Sequence, residues 1–62
     1  MKVDGIEFIV KDKSVYIEGE KQPYYCIKTS CRWVLLRDKP LLRKEFRTKQ
    51  KALEWLSKEI YG

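Results

Sequence analysis

The apolar residues of this chain change their spacing at Thr48, and this change constrains the fold more than any other feature. Before Thr48 the apolar residues form short runs rich in β-branched and aromatic side chains, which is typical of strands. After Thr48, which is a favourable helix N-cap, they recur at helical spacing. The apolar stripe consists of Ala52, Leu53, Leu56 and Ile60 with Trp55 at its edge, opposite Lys49, Gln50, Glu54, Ser57 and Lys58. The pattern predicts one amphipathic helix that ends near Tyr61.

The segment before Thr48 contains the candidate strands. Charged residues at 11–14 separate the first two runs and indicate a hairpin, and residues 38–40 indicate a second turn. Gly19 and Pro23 predict an internal break, because proline cannot donate to a strand ladder and glycine weakens a strand. Residues 29–31 fit either a turn or a bulge. The predicted strands cover residues 6–10, 15–18, 24–29, 32–37 and 41–46.

These elements predict an α+β fold, a small antiparallel sheet of three to five strands packed by one C-terminal amphipathic helix. A chain of 62 residues makes one domain, 1–62, here divided into an N-terminal hairpin, 5–19, and a sheet-plus-helix module, 24–61. The strand at 32–37 is apolar on both faces, so both faces need cover. We expect the helix on one face and the N-terminal hairpin on the other, with a second copy of the chain as the alternative.

No group of residues in the chain resembles a catalytic site. The chain lacks histidine, its serines have no evident activating partner, and its three glycines are isolated, so we predict that it is not an enzyme. Cys26 and Cys31 cannot form a four-ligand zinc site, and we predict no metal and no cofactor. A disulfide between them requires an intervening turn, and two free, space-filling thiols are the alternative. No apolar run is long enough to cross a bilayer, which favours a cytoplasmic protein without a membrane partner.

The excess positive charge lies in one part of the sequence. Residues 28–51 hold nine basic residues against Asp38 and Glu45, which makes +7, whereas residues 1–27 and 52–62 each carry −1. A concentrated positive field repels itself unless a polyanion neutralises it. The sequence therefore predicts nucleic acid as the partner, with DNA favoured over RNA.

Two parts of the basic block are candidate contacts. Arg43 and Arg47 share one face of the last strand, where they either reach a DNA groove or lie in solvent with their stems on apolar surface. Lys49 and Lys51 occupy the first helical turn, where a cation opposes the helix dipole. A phosphate bound by the free amides of residues 48–51 would reverse that cost. Exposed lysines screened by salt are the alternative.

Residues 32–56 contain an arrangement seen in known DNA-binding modules. It consists of the strand Arg32-Trp33-Val34-Leu35-Leu36-Arg37, a turn, the run Lys44-Glu45-Phe46-Arg47-Thr48-Lys49, then Ala52 and Trp55-Leu56. It resembles the three-stranded-sheet-plus-helix modules of the AP2 and integrase arm-type DNA-binding families. The resemblance implies that the sheet face enters the major groove with the helix behind it, and that Arg32, Arg37, Arg43 and Arg47 are candidate contacts.

The sequence as a whole predicts a small DNA-binding protein that contacts phosphates through a basic sheet face and the helix N-terminus. The predicted contacts are Arg32, Arg37, Arg43, Lys44, Arg47, Thr48, Lys49 and Lys51. The alternative is a protein-interaction module, such as a host-factor-binding protein of a virus or mobile element, which uses Trp33, Val34 and Leu36. A homodimer formed through the same apolar face is a variant of that alternative.

Overall fold

The computed structural model describes all 62 residues and contains one antiparallel sheet and one helix. Each strand pairs with the next along the chain, so β1 and β6 are the two edges of the sheet. The elements are β1 (Lys2–Val3), β2 (Ile6–Lys11), β3 (Ser14–Ile17), β4 (Glu20–Lys28), β5 (Trp33–Arg37), β6 (Leu42–Phe46) and α1 (Lys49–Tyr61). No helix of the structure combines the length and the apolar character that crossing a bilayer requires.

The sheet has six strands and forms a half-barrel, so the predicted sheet of three to five strands is wrong. The additional strand is β1, whose two residues are too few to show a periodic pattern. What identifies β1 in the sequence is the turn that follows it. Both central residues of this turn have positive φ, as in a type I′ turn, which connects hairpin strands and favours Asp-Gly. The first three connections of the sheet share this geometry, and their central residues are Asp4-Gly5, Asp12-Lys13 and Glu18-Gly19.

The break predicted at residues 19–23 is correct at Gly19, which lies in a turn, but wrong at residues 20–23, because β4 begins at Glu20 and continues through Pro23. The register with β3 explains how the strand accommodates proline. Ser14 pairs with Tyr25 whereas Tyr16 pairs with Lys21, so β4 contains extra residues between these two pairs. Proline is tolerated at such a bulge, where a ladder hydrogen bond is already missing.

The sheet curls around the helix instead of being covered by its own N-terminal hairpin. Helix α1 contacts β1 at one edge of the sheet and β5 and β6 at the other. We call the face that carries the helix the inner face and the opposite face the outer face. Strands β2 and β3 extend the sheet sideways, so they leave the outer face of β4, β5 and β6 uncovered. The expectation that the hairpin folds over this face is therefore wrong.

The core lies between the inner face and the helix. Phe8, Val15, Leu35, Leu53 and Leu56 are its largest fully buried side chains. Burying a side chain of this size contributes about 1.5–3 kcal/mol each, so the helix is essential to a chain this short.

The buried stripe of the helix differs from the predicted one at its C-terminal end. Ile60 is 37% exposed, whereas Ser57 is buried and its hydroxyl lies 3.4 Å from a carboxylate oxygen of Asp4. The sequence placed Ile60 on the buried face and Ser57 on the polar face. The difference arises because the curled sheet also brings β1 and the turn that follows it against the helix.

Candidate nucleic-acid interface

Three strands and the helix meet at one end of the half-barrel. In the register, Lys28 at the end of β4 pairs with Trp33 at the start of β5, and Trp33 pairs with Phe46 at the end of β6. The helix begins three residues after Phe46. This geometry gathers basic residues that are far apart in sequence. We call the set Lys28, Arg32, Arg47, Lys49 and Lys51 the basic end.

The centre of the basic end is the half-buried indole of Trp33. The Nζ atoms of Lys28 and Lys49 both lie 5.8 Å from the centroid of this ring. Each contact is a cation–π interaction, worth about 0.5–1 kcal/mol at an exposed site. The ring therefore contacts two like charges, one from the sheet and one from the helix. Trp33 also packs against the core, as the sequence predicts for this side chain.

The connection between β4 and β5 positions Arg32. The amide of Thr29 donates a 2.8 Å hydrogen bond to the carbonyl of Arg32. The Thr29 hydroxyl donates to the same carbonyl and accepts from the Arg32 amide, both at 3.1 Å. Residues 29–32 thus form a tight turn, not a bulge, and the exposed Arg32 stands beside Lys28 and Trp33.

The helix start carries only cations among its charged side chains. Thr48 has extended backbone angles and its hydroxyl accepts a 3.1 Å hydrogen bond from the Lys51 amide, which confirms the predicted N-cap. The first turn contains no acidic residue. Lys49 and Lys51 therefore oppose the helix dipole without compensation from a neighbouring carboxylate in that turn.

The structure does not bring all the predicted contacts together. Arg37 lies at the other end of β5, where its guanidinium bonds to the Tyr24 hydroxyl at 2.7 Å. Lys44 lies on the inner side of β6, with its ammonium 5.6 Å from the centroid of Trp55. Arg43 lies on the outer face. Arg32, Arg47, Thr48, Lys49 and Lys51 are the predicted residues that meet at the basic end.

Ion pairing separates Arg43 from the other basic side chains. Its Nη1 atom lies 2.8 Å from a carboxylate oxygen of Glu45, two residues along the same strand. No other lysine or arginine has a carboxylate within 4.0 Å, and the second ion pair of the structure joins the N-terminal ammonium to Glu7. The positive charge of the basic end is therefore not offset by salt bridges.

The residues of the alternative docking surface do not share one face. Trp33 lies on the inner face, whereas Val34 and Leu36 lie on the outer face because side chains alternate along β5. Of these two outer residues, Val34 is almost fully buried, at 5% exposed, whereas Leu36 is partly exposed.

Lys28 is the member of the basic end that was not among the predicted contacts. Its strand register could have identified it, since a turn at residues 29–32 brings Lys28 opposite Trp33. The ambiguity between a turn and a bulge prevented that inference.

The two cysteines are free thiols in different surroundings. Cys26 is buried in the core and Cys31 is exposed in the turn that follows β4. Burial raises the pKa of the Cys26 thiol, and the charge of Lys49 partly opposes that rise. Of the two cysteines, only Cys26 thus fills space in the core.

Comparison of the chain with protein-family models, with curated proteins and with solved structures gave no match.

Proposed function

We propose that the chain binds DNA without catalysis, mainly through phosphate contacts made by the basic end. Lys28, Arg32, Arg47, Lys49 and Lys51 supply the cations, and Thr48 caps the helix that presents two of them. The observation that carries the proposal is that the ammonium groups of Lys28 and Lys49 share the ring of Trp33 and have no carboxylate within 4.0 Å.

Two like charges on one ring repel each other, and the indole compensates for this repulsion only in part. A phosphate near both ammonium groups would convert the repulsion into attraction and would release condensed counterions from the nucleic acid. The helix start adds to this effect, because its dipole and its free amides favour an anion. The same cations that cost stability in the free chain would then favour the complex.

The resemblance of residues 32–56 to the AP2 and integrase arm-type modules is part of this proposal, with one change. Those families place the sheet face in the groove, whereas here the outer face is mostly apolar and the charge of Arg43 is offset by Glu45. We therefore assign the contacts to the basic end. Arg37, Arg43 and Lys44 would contribute little.

The test is a titration of double-stranded DNA, single-stranded DNA and RNA with the protein over a series of salt concentrations. If about five phosphates are neutralised, the logarithm of the association constant should fall against the logarithm of the salt concentration with a slope of roughly −4 to −5. Double-stranded DNA should bind most tightly. An association constant that does not change with salt would contradict the proposal.

A pair of matched double variants locates the contact. Lys28→Gln with Lys49→Gln removes both cations from Trp33 and should reduce the steepness of the salt slope by about 2. Lys39→Gln with Lys58→Gln removes the same charge from exposed residues outside the basic end and should leave the slope nearly unchanged. Equal losses in the two variants would show that only net charge matters, which would overturn the assignment to the basic end.

A further inference from the structure

We propose that two copies of this chain associate through the outer face of the sheet, with a two-fold axis relating them. The inference is independent of the proposed nucleic-acid binding, because the apolar side chains of the outer face do not belong to the basic end. It rests on the apolar character of the outer face, on its low net charge and on a pair of charges at its edge.

The outer face carries a strip of apolar side chains that no element of the chain covers. In the register, Tyr16 of β3, Tyr25 and Ile27 of β4, and Leu36 of β5 point to this face. These four side chains are half-buried. Ile9 of β2 lies on the same face, is 47% exposed, and lines a shallow depression of about 250 Å³ together with Tyr16. Neighbouring apolar side chains that reach the surface together are typical of an interaction site.

The net charge of the outer face is also lower than that of the basic end. The whole chain carries +5. The outer face has four cations and two acids, which leaves +2. These residues are Lys2, Lys11, Lys21, Arg43, Glu7 and Glu45. Two copies that associate through this face therefore bring together less positive charge than two basic ends would.

The edge of the outer face is complementary to itself. Leu36 pairs with Arg43 and Val34 pairs with Glu45, so a cation and an anion stand side by side next to the apolar strip. In a two-fold interface the same patch meets itself, and Arg43 of one copy can face Glu45 of the other. Both side chains are well exposed, at 61% and 43%, and are free to reach a second copy. The 2.8 Å pair within one chain would become part of a four-charge network.

A second copy fits this face better than the other occupants do. Nucleic acid is disfavoured, since the centre of the face is mostly apolar and one of its four cations is already paired. A second copy also supplies apolar burial to a chain whose core is small, and oligomerisation is a common means of stabilising domains of this size.

The first experiment measures the mass in solution by sedimentation velocity over a hundred-fold range of concentration. The wild-type chain should shift from 7.5 kDa towards twice that mass. Arg43→Glu and Glu45→Arg should each weaken association at least tenfold, because like charges then meet across the axis. An equimolar mixture of the two variants should restore association, since each supplies the charge that the other lacks.

A second pair of variants tests the apolar strip. Ile9→Lys changes a side chain of the outer face that is already half exposed, so the fold should persist, and association should weaken at least tenfold. Leu41→Lys is the matched control, because Leu41 is 84% exposed and lies in the turn between β5 and β6. It should leave association unchanged.

Three outcomes would overturn the proposal. The first is a wild-type chain that stays monomeric at every concentration. The second is a mixture of Arg43→Glu and Glu45→Arg that associates no better than either variant alone. The third is loss of nucleic-acid affinity in Ile9→Lys without any change in mass, which would assign the outer face to nucleic acid.

Discussion

The guanidinium of Arg37 lies against the side chain of Tyr24. Its Nη1 atom donates a 2.7 Å hydrogen bond to the Tyr24 hydroxyl, and its Cζ atom lies 5.3 Å from the centroid of the ring. The Nε atom of the same group donates to the carbonyl of Pro40 at 2.9 Å. Arg37 therefore joins β4 to the turn after β5, and this structural role accounts for an arginine that the sequence alone presents as a DNA contact.

Tyr24→Phe should lower the free energy of unfolding by about 1 kcal/mol, because it removes the hydroxyl and keeps the ring. Nucleic-acid affinity should stay the same. Thermal or urea unfolding measures the free energy of unfolding, and the salt titration measures the nucleic-acid affinity. Arg37→Gln should also lower the free energy of unfolding, and it should leave the salt slope unchanged. If the salt slope of Arg37→Gln were shallower by about 1, Arg37 would be a nucleic-acid contact.

Lys51→Glu should stabilise the fold and weaken nucleic-acid binding. Residue 51 is the third helical residue after the Thr48 cap, where glutamate can accept from the Thr48 amide and complete a capping box. Replacing a cation by an anion in the first turn also favours the helix dipole, and the two effects together amount to about 1 kcal/mol. Urea unfolding measures the gain.

Lys51→Gln separates charge from capping, since glutamine also completes the box. It should show a smaller gain in stability and a smaller loss of affinity than Lys51→Glu. If both variants bound DNA as tightly as the wild-type chain, Lys51 would not belong to the interface.

Lys13→Gly should raise the free energy of unfolding by up to about 1 kcal/mol. Lys13 has a φ of 68° in the turn between β2 and β3, in the left-handed region where a side chain is unfavourable and glycine is not. Its carbonyl accepts a 2.9 Å hydrogen bond from the Cys26 amide, which glycine retains. Lys11→Gly, in the neighbouring strand, should have the opposite sign. A destabilised Lys13→Gly would mean that the turn differs from the one described.

The two thiols should differ in reactivity. A thiol reagent should modify Cys31 quickly in the folded protein and Cys26 only on unfolding, because the first is exposed and the second is buried. Modification of both thiols at the same rate in the native state would contradict the buried position of Cys26. In Cys31→Ser only the Cys26 thiol remains, so the reaction that this variant lacks is that of Cys31.

The raised pKa of Cys26 predicts a dependence of stability on pH. The unfolded chain loses the thiol proton near the ordinary pKa of 9.0, whereas the folded chain keeps it to higher pH. The contribution of the protonated Cys26 thiol to the free energy of unfolding is thus fully present below pH 9.0 and is lost as the pH rises above it. Urea unfolding at several alkaline pH values should show a steeper decline for the wild-type chain than for Cys26→Ala. Parallel declines would mean that burial does not perturb this thiol.

The helix and most of the strands follow from local information in the sequence. Thr48 and the helical spacing of Leu53 and Leu56 determine where the helix begins and which side it buries, because capping and side-chain periodicity act within a few residues. Asp4-Gly5 and Glu18-Gly19 specify hairpin turns for the same reason, and recognising them would have predicted the sixth strand.

The position of the helix within the curled sheet and the membership of the basic end were decided by the tertiary structure. Lys28 and Lys49 are distant in sequence, and they share the ring of Trp33 only through the register of β4 with β5 and the way β6 leads into the helix. Arg37 and Arg43 belong to the same basic block, yet the fold pairs one with Tyr24 and the other with Glu45. The sequence by itself determined the local elements and the amount of charge, because these depend on residue type and short-range spacing. The tertiary structure decided which charges meet, because strand register and sheet curvature depend on the packing of the whole core.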